Sequence, residues 1–133
     1  MTYFLDTNIC IYAAKGQYPS LQQTWLSHSP SAIAVPAIVK AELLYGALKS
    51  RDPKRAIQTI RRLLDPYPVI AFDEACLPHY ASVRSSLESI GQPIGPNDLL
   101  IASTALAHDA ILVTHNSREF QRVPGLKTED WTQ

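Results

Sequence analysis

The sequence predicts an α/β fold: one domain, residues 1–133, with helices on both faces of a mostly parallel sheet of about five strands. Two observations support this prediction. Short apolar runs of β type alternate with longer helical patterns, and strands separated by helical crossovers usually pair in parallel. A chain of 133 residues with 46% hydrophobic residues is also large enough for one domain with a substantial core.

Proline and glycine mark the boundaries of the predicted elements. Pro36 and Pro53 are each expected to open a helix, because the N–H that proline lacks has no partner in the first turn. Residues 91–96, which contain two glycines and two prolines, predict a tight loop rather than a domain linker. Strands are predicted at Thr2–Asp6, Ala32–Val35, Val69–Ala71 and Ala110–Thr114, with a weaker one at Leu126–Thr128; helices are predicted at Asn8–Lys15, Leu21–His28, Pro36–Lys49, Pro53–Leu64, Glu74–Ile90 and Asn97–His108.

The overall charge favours no class of partner, because the formal net charge is zero and the pI is about 6.9. Half of the twelve Lys and Arg residues nevertheless lie between residues 49 and 62.

Cys10 and Cys76 have no paired spacing and fit reduced core thiols of a cytosolic protein. No signal peptide and no membrane-spanning run is recognisable, so a soluble cytoplasmic protein is expected.

The first predicted strand ends on an acid, because the apolar run Tyr3-Phe4-Leu5 leads directly into Asp6. A carboxylate at a buried strand end is unfavourable unless a cation or a proton offsets its charge. Open α/β sheets bind ligands in the crevice beyond the carboxyl ends of their strands. Asp6 is therefore a candidate site residue, with capping of the following helix as the alternative.

Two further acids stand in predicted helices. Glu42 has mainly apolar neighbours three and four residues away, and an acid on an apolar helix stripe is unusual. The alternative for Glu42 is a surface pair with Lys49. Asp98 opens the apolar run Leu99-Leu100-Ile101-Ala102, and an acid in the first turn of a helix is also explained by the helix dipole.

Asn116 and Glu119 directly follow the strand predicted at Ala110–Thr114. Their spacing matches a capping box, in which Asn116 caps a helix and Glu119 reaches back to it. A structural role and a functional role are therefore both open for this pair. The four histidines show no zinc-type spacing, and only His115, next to Asn116, is near enough to the proposed site to contact a substrate.

The acids gain significance from their joint placement in a parallel sheet. Asp6 and Asn116 each follow a buried strand, and Asp98 begins a helix, so all three are expected at the carboxyl edge. Glu42 could lean over that edge from its own helix. Carboxylates that converge repel one another unless a cation is present, and oxygen ligands without His or Cys favour Mg²⁺ or Mn²⁺.

Three segments carry a resemblance to a known family. Phe4-Leu5-Asp6-Thr7-Asn8, Lys40-Ala41-Glu42-Leu43-Leu44-Tyr45-Gly46 and Gly95-Pro96-Asn97-Asp98-Leu99-Leu100-Ile101-Ala102 resemble PIN-domain ribonucleases. Within these, the chain is similar to the VapC toxins of bacterial toxin–antitoxin pairs. The closing segment, residues 112–131, fits the same family, so the resemblance covers essentially the whole chain.

The resemblance implies an α/β/α sandwich and a toxic endoribonuclease that depends on Mg²⁺, with Mn²⁺ able to substitute. By position, Asp6 and Asp98 match the principal metal-binding acids and Glu42 matches the third catalytic carboxylate. Thr7 matches the hydroxyl residue that typically supports the first acid, here Asp6. Where many relatives have a fourth acid this chain has Asn116, and Glu119 is the nearest acid that could contribute.

The implied mechanism is hydrolysis of an RNA phosphodiester by metal-activated water, with either Glu42 or Asp98 orienting or deprotonating that water. The basic segment is a candidate RNA grip, represented by its first four cations, and its alternative is a solvated helix face. These four residues are Lys49, Arg51, Lys54 and Arg55.

The resemblance also implies partners: a VapB-type antitoxin, an RNA substrate such as the anticodon loop of initiator tRNA, and a second copy in a homodimer.

Two rival functions are considered. A haloacid-dehalogenase-type phosphatase needs a second Asp two residues after the first, where this chain has Asn8. A non-catalytic PIN-like module that binds RNA or protein is the alternative that Asn116 leaves open.

Overall fold

The computed structural model describes residues 1–133 and contains five strands and seven α-helices. Two short 3-10 turns, Pro30–Ala32 and Glu74–Cys76, precede β2 and α5. In chain order the elements are β1 (Tyr3–Leu5), α1 (Thr7–Lys15), α2 (Pro19–Ser27), β2 (Ile33–Pro36), α3 (Ala37–Leu48), α4 (Pro53–Leu64), β3 (Val69–Ile70), α5 (Leu77–Ser89), α6 (Pro96–Ala107), β4 (Ile111–Val113), α7 (Ser117–Phe120) and β5 (Lys127–Glu129).

All strands are parallel and their order in the sheet is β3-β2-β1-β4-β5. The central strand β1 pairs with both neighbours through Tyr3, which lies opposite Ile33 and Ile111. The three central strands read as continuous apolar runs because helices cover both faces of such a sheet. The parallel five-stranded sheet that the sequence predicts is confirmed.

The direction of the chain along the sheet reverses next to β1. From β1 the chain proceeds to β2 and β3 at one edge, and then returns across the sheet to β4 and β5 on the other side. Reversal between β1 and β4 opens a crevice at their carboxyl ends. This crevice is where Asp6 and the residues after β4 lie.

Helices pack in two groups that follow from this topology. Helices α1, α3 and α4 contact one another, whereas α5 packs on α6. Because parallel crossovers are right-handed, connections that run in opposite directions along the sheet lie on opposite faces. The two groups also touch where α3 meets α6, and one cleft is lined by Glu42 in the second turn of α3 and by Asn97 in the first turn of α6.

Most predicted elements are confirmed, with bounds that differ by a few residues, but three local details differ. Pro36 does not open a helix: it ends β2 and is the N-cap of α3, because its φ of −59° is combined with an extended ψ of 142°. The helix expected over Glu74–Ile90 begins with a separate 3-10 turn. Helix α7 was indicated only by the capping-box spacing of Asn116 and Glu119 and is absent from the helices predicted by periodicity.

Cys10 and Cys76 are free and buried, as expected for core thiols. Burial, with a smaller effect of the nearby Asp6 carboxylate, raises the pKa of the Cys10 thiol far above its usual range. None of the helices combines the length and apolar character needed to cross a lipid bilayer.

Candidate active site

Asp6 lies at the bottom of the crevice, directly after β1, and only 4% of its surface is exposed. Its backbone N–H continues the sheet ladder by donating to the Val113 carbonyl at 2.9 Å. Its two carboxylate oxygens accept hydrogen bonds from different elements: Oδ1 from the Thr7 N–H and Oδ2 from the Thr114 hydroxyl, both at 2.8 Å. Asp6 therefore caps α1, and the capping role does not exclude a role in binding.

Burial raises the pKa of Asp6, and the two hydrogen bonds from Thr114 and Thr7 lower it again in part. Glu42 and Glu119 add smaller repulsive contributions in the upward direction. An ionised carboxylate in this position is thus held by hydrogen bonds but not by any positive side chain. A cation in the crevice would compensate this charge.

Thr114 connects both sides of the crevice and was not singled out from the sequence. It is fully buried, and its hydroxyl donates to Asp6 Oδ2 while accepting the backbone N–H of Asn116 at 2.9 Å. One buried hydroxyl thereby fixes the orientation of the Asp6 carboxylate and the path of the chain after β4. The only sequence signal was a hydroxyl residue at the end of a strand adjacent to β1.

Glu42 lies in the second turn of α3, half-buried, and faces α1. Its Oε1 accepts the Thr7 hydroxyl at 2.8 Å, so this hydroxyl supports Glu42, whereas Asp6 receives only the Thr7 backbone N–H. The alternative pairing of Glu42 with Lys49 does not form. Lys49 instead places its ammonium group 5.1 Å from the centre of the Tyr45 ring.

Asp98 lies in the first turn of α6 and is half-buried. Burial, followed by repulsion from Asp6, Glu119 and Glu42, raises the pKa of Asp98 to about 7. Glu119 is near enough to accept a hydrogen bond from the protonated form of Asp98, which raises the pKa further. Asp98 is thus the residue in which the crowding of negative charge is most evident.

Asn116 and Glu119 interact differently from the capping box that their spacing suggested. Asn116 is the N-cap of α7, but its side chain does not accept a helix N–H. Its amide Nδ2 instead donates to Glu119 Oε2 at 2.6 Å, and Glu119 Oε1 accepts the Gly95 N–H at 3.3 Å. Glu119 is thereby held beside the start of α6, facing Asp98.

The acidic cluster, defined as Asp6, Glu42, Asp98 and Glu119, contains only carboxylates, which suits a hard divalent ion. No three acidic, histidine or cysteine side chains lie close enough together to bind one metal ion unaided. The four carboxylates are near enough to repel one another, although no three of them converge on one point. Mg²⁺ fits such a site, because it usually binds one or two carboxylates and fills its other positions with water and phosphate oxygens.

A cleft of about 520 Å³ lies between α1, α3 and the start of α6 and gives access to Thr7 and Glu42. A second groove of about 560 Å³ runs between α1, α3 and α4. Ile11 and Glu42 line both, so the cleft and the groove adjoin at these residues. The two concavities, together called the channel, reach the acidic cluster at Glu42.

The basic residues predicted to grip RNA lie along this channel at different depths. Arg51 and Arg55 line the groove, and Lys49 and Lys54 are exposed next to it. None of the four forms a salt bridge within the protein; the ion pairs present involve other residues. Their charges are thus available to a negatively charged partner, and their exposure fits both the RNA grip and the solvated helix face.

Similarity to known proteins decides the family of this chain. Residues 3–126 match the sequence pattern of the PIN domain. The chain is 36% identical over 132 residues to the tRNA(fMet)-specific endonuclease VapC of Shigella flexneri, covering 99% of each chain. It is 42% identical over 135 residues to ribonuclease VapC2 of Rickettsia felis, covering 98% of each. The protein belongs to the VapC family of PIN-domain ribonucleases.

The fold agrees with that membership. VapBC2 from Rickettsia felis, solved in complex with a DNA fragment from its promoter, superposes with a TM-score of 0.93 at 40% identity. The match covers 98% of this chain and 99% of that chain. The resemblance identified from the sequence is thus confirmed, and with it the assignment of the chain as a toxin-type endoribonuclease of the VapC family.

Proposed function

We propose that this VapC-family chain hydrolyses RNA phosphodiester bonds at the acidic cluster and that the reaction depends on a divalent ion. The observation that carries the proposal is the Asp6 carboxylate. It is almost fully buried at a strand end and has two further acids, Glu42 and Asp98, near it, yet no positive side chain pairs with it. A nuclease needs such a site because the ion offsets the charge of both the acids and the phosphate.

Asp6 and Asp98 are the residues proposed to hold the ion, with Mg²⁺ preferred and Mn²⁺ able to substitute. When bound, the ion supplies a water molecule of lowered pKa and neutralises negative charge on the phosphate. Asn116 and Glu119 support the site from the far side, because the amide of Asn116 holds Glu119 beside Asp98. Thr7 and Thr114 keep Glu42 and Asp6 in position.

Glu42 is proposed as the general base that removes a proton from the attacking water. Ligation to a cation would keep Asp98 ionised and lower its basicity, which leaves Glu42 as the acid not committed to the ion. Its Oε1 is occupied by the Thr7 hydroxyl, and Oε2 has no hydrogen-bond partner within the protein. The free oxygen is the one available to the water.

Asp6→Asn tests the catalytic assignment. Asparagine is also a good helix N-cap, so the fold should persist, while the loss of the ligand charge should reduce RNA cleavage to background. Purified variant and wild type are compared for cleavage of structured RNA with Mg²⁺, and for folding by circular dichroism. Asp65→Asn, at an exposed acid at the end of α4, is the matched control and should cleave normally.

Equal cleavage by wild type and the Asp6→Asn variant would refute the catalytic assignment. A wild-type protein that binds RNA but never cuts it would favour the alternative of a non-catalytic PIN-like module. The two outcomes can be told apart, because the absence of cleavage by a non-catalytic module is seen with the wild-type protein alone.

We further propose a substrate and partners by analogy with the relatives. The Shigella flexneri relative is named a tRNA(fMet)-specific endonuclease, which suggests initiator tRNA as the substrate of this chain. The Rickettsia felis complex contains VapB together with VapC, which suggests a VapB-type antitoxin as the partner. A homodimer and action in the cytoplasm, where tRNA is found, complete the proposal.

A further inference from the structure

Three aromatic rings lie together beside the acidic cluster, at the same end of the sheet. The ring centres of Tyr12 and Tyr18 are 5.1 Å apart, and His115 lies 5.8 Å from Tyr12 and 6.0 Å from Tyr18. Tyr12 belongs to α1, Tyr18 is the N-cap of α2, and His115 follows β4. These three residues, here named the aromatic cluster, come from separate parts of the chain.

The His115 ring is exposed yet held in one orientation. Its Nδ1 lies 3.0 Å from Asp130 Oδ2 and 3.1 Å from the Thr132 hydroxyl, while 42% of the side chain remains exposed. Burial raises the pKa of Asp130, but hydrogen bonds from Thr132 and His115 outweigh that effect and lower it overall. An ionised Asp130 therefore fixes the imidazole through one nitrogen and leaves the rest of the ring available.

The two tyrosines are only partly buried, and their hydroxyls have no partner within the protein. Two other tyrosines have hydrogen-bonded hydroxyls: the Tyr67 hydroxyl accepts from the Trp25 indole, and the Tyr80 hydroxyl accepts from Arg84. No buried side-chain oxygen or nitrogen lacks a partner, so the free hydroxyls of Tyr12 and Tyr18 reach solvent. Both rings pack against the edge of the hydrophobic core and present their hydroxyls to solvent.

The aromatic cluster is close along the chain to residues that hydrogen-bond to the acidic cluster. His115 stands between Thr114, which donates to Asp6, and Asn116, which donates to Glu119. Tyr12 lies on the same helix as Thr7, which donates to Glu42. His115 therefore places the aromatic cluster at the edge of the sheet that carries the acids.

We propose that the aromatic cluster stacks on an unpaired base of the RNA substrate, next to the phosphate that is cut. The proposal rests on the ribonuclease function and assigns a base-binding position to the same site. Single-stranded RNA is typically recognised by aromatic side chains on which splayed bases stack. The unpaired hydroxyls can in addition hydrogen-bond to a base edge or to the ribose.

Binding is measured with a fluorescently labelled single-stranded RNA that the wild type cuts, with Ca²⁺ replacing Mg²⁺. Tyr18→Leu removes the ring and keeps an apolar side chain, and should weaken binding by about 5- to 50-fold. Tyr18→Phe keeps the ring and should retain most of the affinity. His115→Ala, on an exposed ring, gives a second variant with little risk to folding, and circular dichroism verifies each protein.

Abasic RNA distinguishes stacking from a structural role. Removing the base at one position next to the cut should weaken binding to the wild type, and Tyr18→Leu and His115→Ala should show no further loss with that RNA. Unchanged affinity of both variants for the intact RNA would overturn the proposal. So would equal losses for intact and abasic RNA, or a variant that binds RNA normally but loses affinity for the antitoxin.

These outcomes are separate from failure of the catalytic assignment. If the wild type binds the RNA through its bases but does not cut it, the ribonuclease proposal fails and the stacking position stands. If the wild type cuts RNA and the ring variants bind it as tightly as the wild type does, the stacking position fails and the ribonuclease proposal stands.

Discussion

At the scale of single residues, the site combines a negative charge that the fold tolerates poorly with hydrogen bonds that hold it in place. Asp98 shows this most clearly, because burial and three neighbouring acids raise its pKa to about 7. Asp98 has a higher pKa in the folded state than its usual 3.8, so its protonation adds to the free energy of unfolding. This contribution is complete at pH values below 3.8. This stability is lost as the pH rises through about 7.

Replacement of Asp98 by asparagine should therefore stabilise the metal-free protein at about pH 8, where the wild type carries the unfavourable charge. The expected rise in melting temperature is roughly 3 °C or more, and it should shrink towards about pH 5. Thermal unfolding in EDTA across this range measures it. A melting temperature below that of wild type at alkaline pH would contradict the assigned electrostatics, and Asp65→Asn should change little at either pH.

Thr114 carries a second prediction, because one buried hydroxyl holds both Asp6 and the loop after β4. Thr114→Val has nearly the same shape but leaves Asp6 Oδ2 and the Asn116 N–H without this partner. It should destabilise the protein by about 1–3 kcal/mol and reduce cleavage. Thr114→Ser keeps the hydroxyl and should restore most of the activity, which denaturant unfolding and a cleavage assay can measure together. Cleavage by Thr114→Val at the wild-type rate would show that this hydroxyl does not position Asp6.

The residues also differ in how far the sequence could reveal them. Asp6 was identifiable, because an acid that ends an apolar strand has few structural explanations. Thr114 was not, because a hydroxyl at a strand end is common and its partner is 108 positions away. Glu119 was found by its spacing, but its bond to the Asn116 side chain depends on the loop path, which no local pattern determines.

At the scale of elements, α4 combines an apolar face with a basic one. Ile60 and Leu64 are buried, while Lys54, Arg55, Arg61 and Arg62 are exposed on the same helix. Such a helix was predictable from its 3.6-residue periodicity. The short helix α7 was not, because four residues carry too little periodic signal and the helix depends on its packing against β5.

The basic start of α4 leads to a prediction about salt dependence. If Lys54 and Arg55 bind RNA phosphates, changing both to glutamine should weaken RNA binding. It should also reduce the slope of log affinity against log salt by roughly 0.7 for each phosphate that is no longer neutralised. Binding titrations at several salt concentrations measure the slope. Arg84→Gln with Lys127→Gln removes the same charge from residues that form ion pairs elsewhere, and this control should leave the slope unchanged. A solvated helix face would give equal slopes for both double variants.

At the scale of the whole molecule, the order of the strands places the site. The reversal between β1 and β4 would locate a crevice there whatever the surface residues were. The acids at this crevice come from four separate segments: the end of β1, the second turn of α3, the first turn of α6 and α7. Their common edge could be inferred from the alternation of strands and helices, whereas their distances depend on the packing of α3 against α6.

The open channel suits a folded RNA with an exposed loop better than a duplex, because the bases of a loop can leave the stack. On the substrate proposed by analogy with the tRNA(fMet)-specific relative, we expect cleavage of initiator tRNA in its anticodon loop and little cleavage of elongator tRNAs. Incubation of each purified tRNA with Mg²⁺, followed by mapping of the new 5′ ends, tests this expectation, and Asp6→Asn serves as the inactive control. Equal cutting of all tRNAs, or cuts confined to base-paired stems, would contradict it.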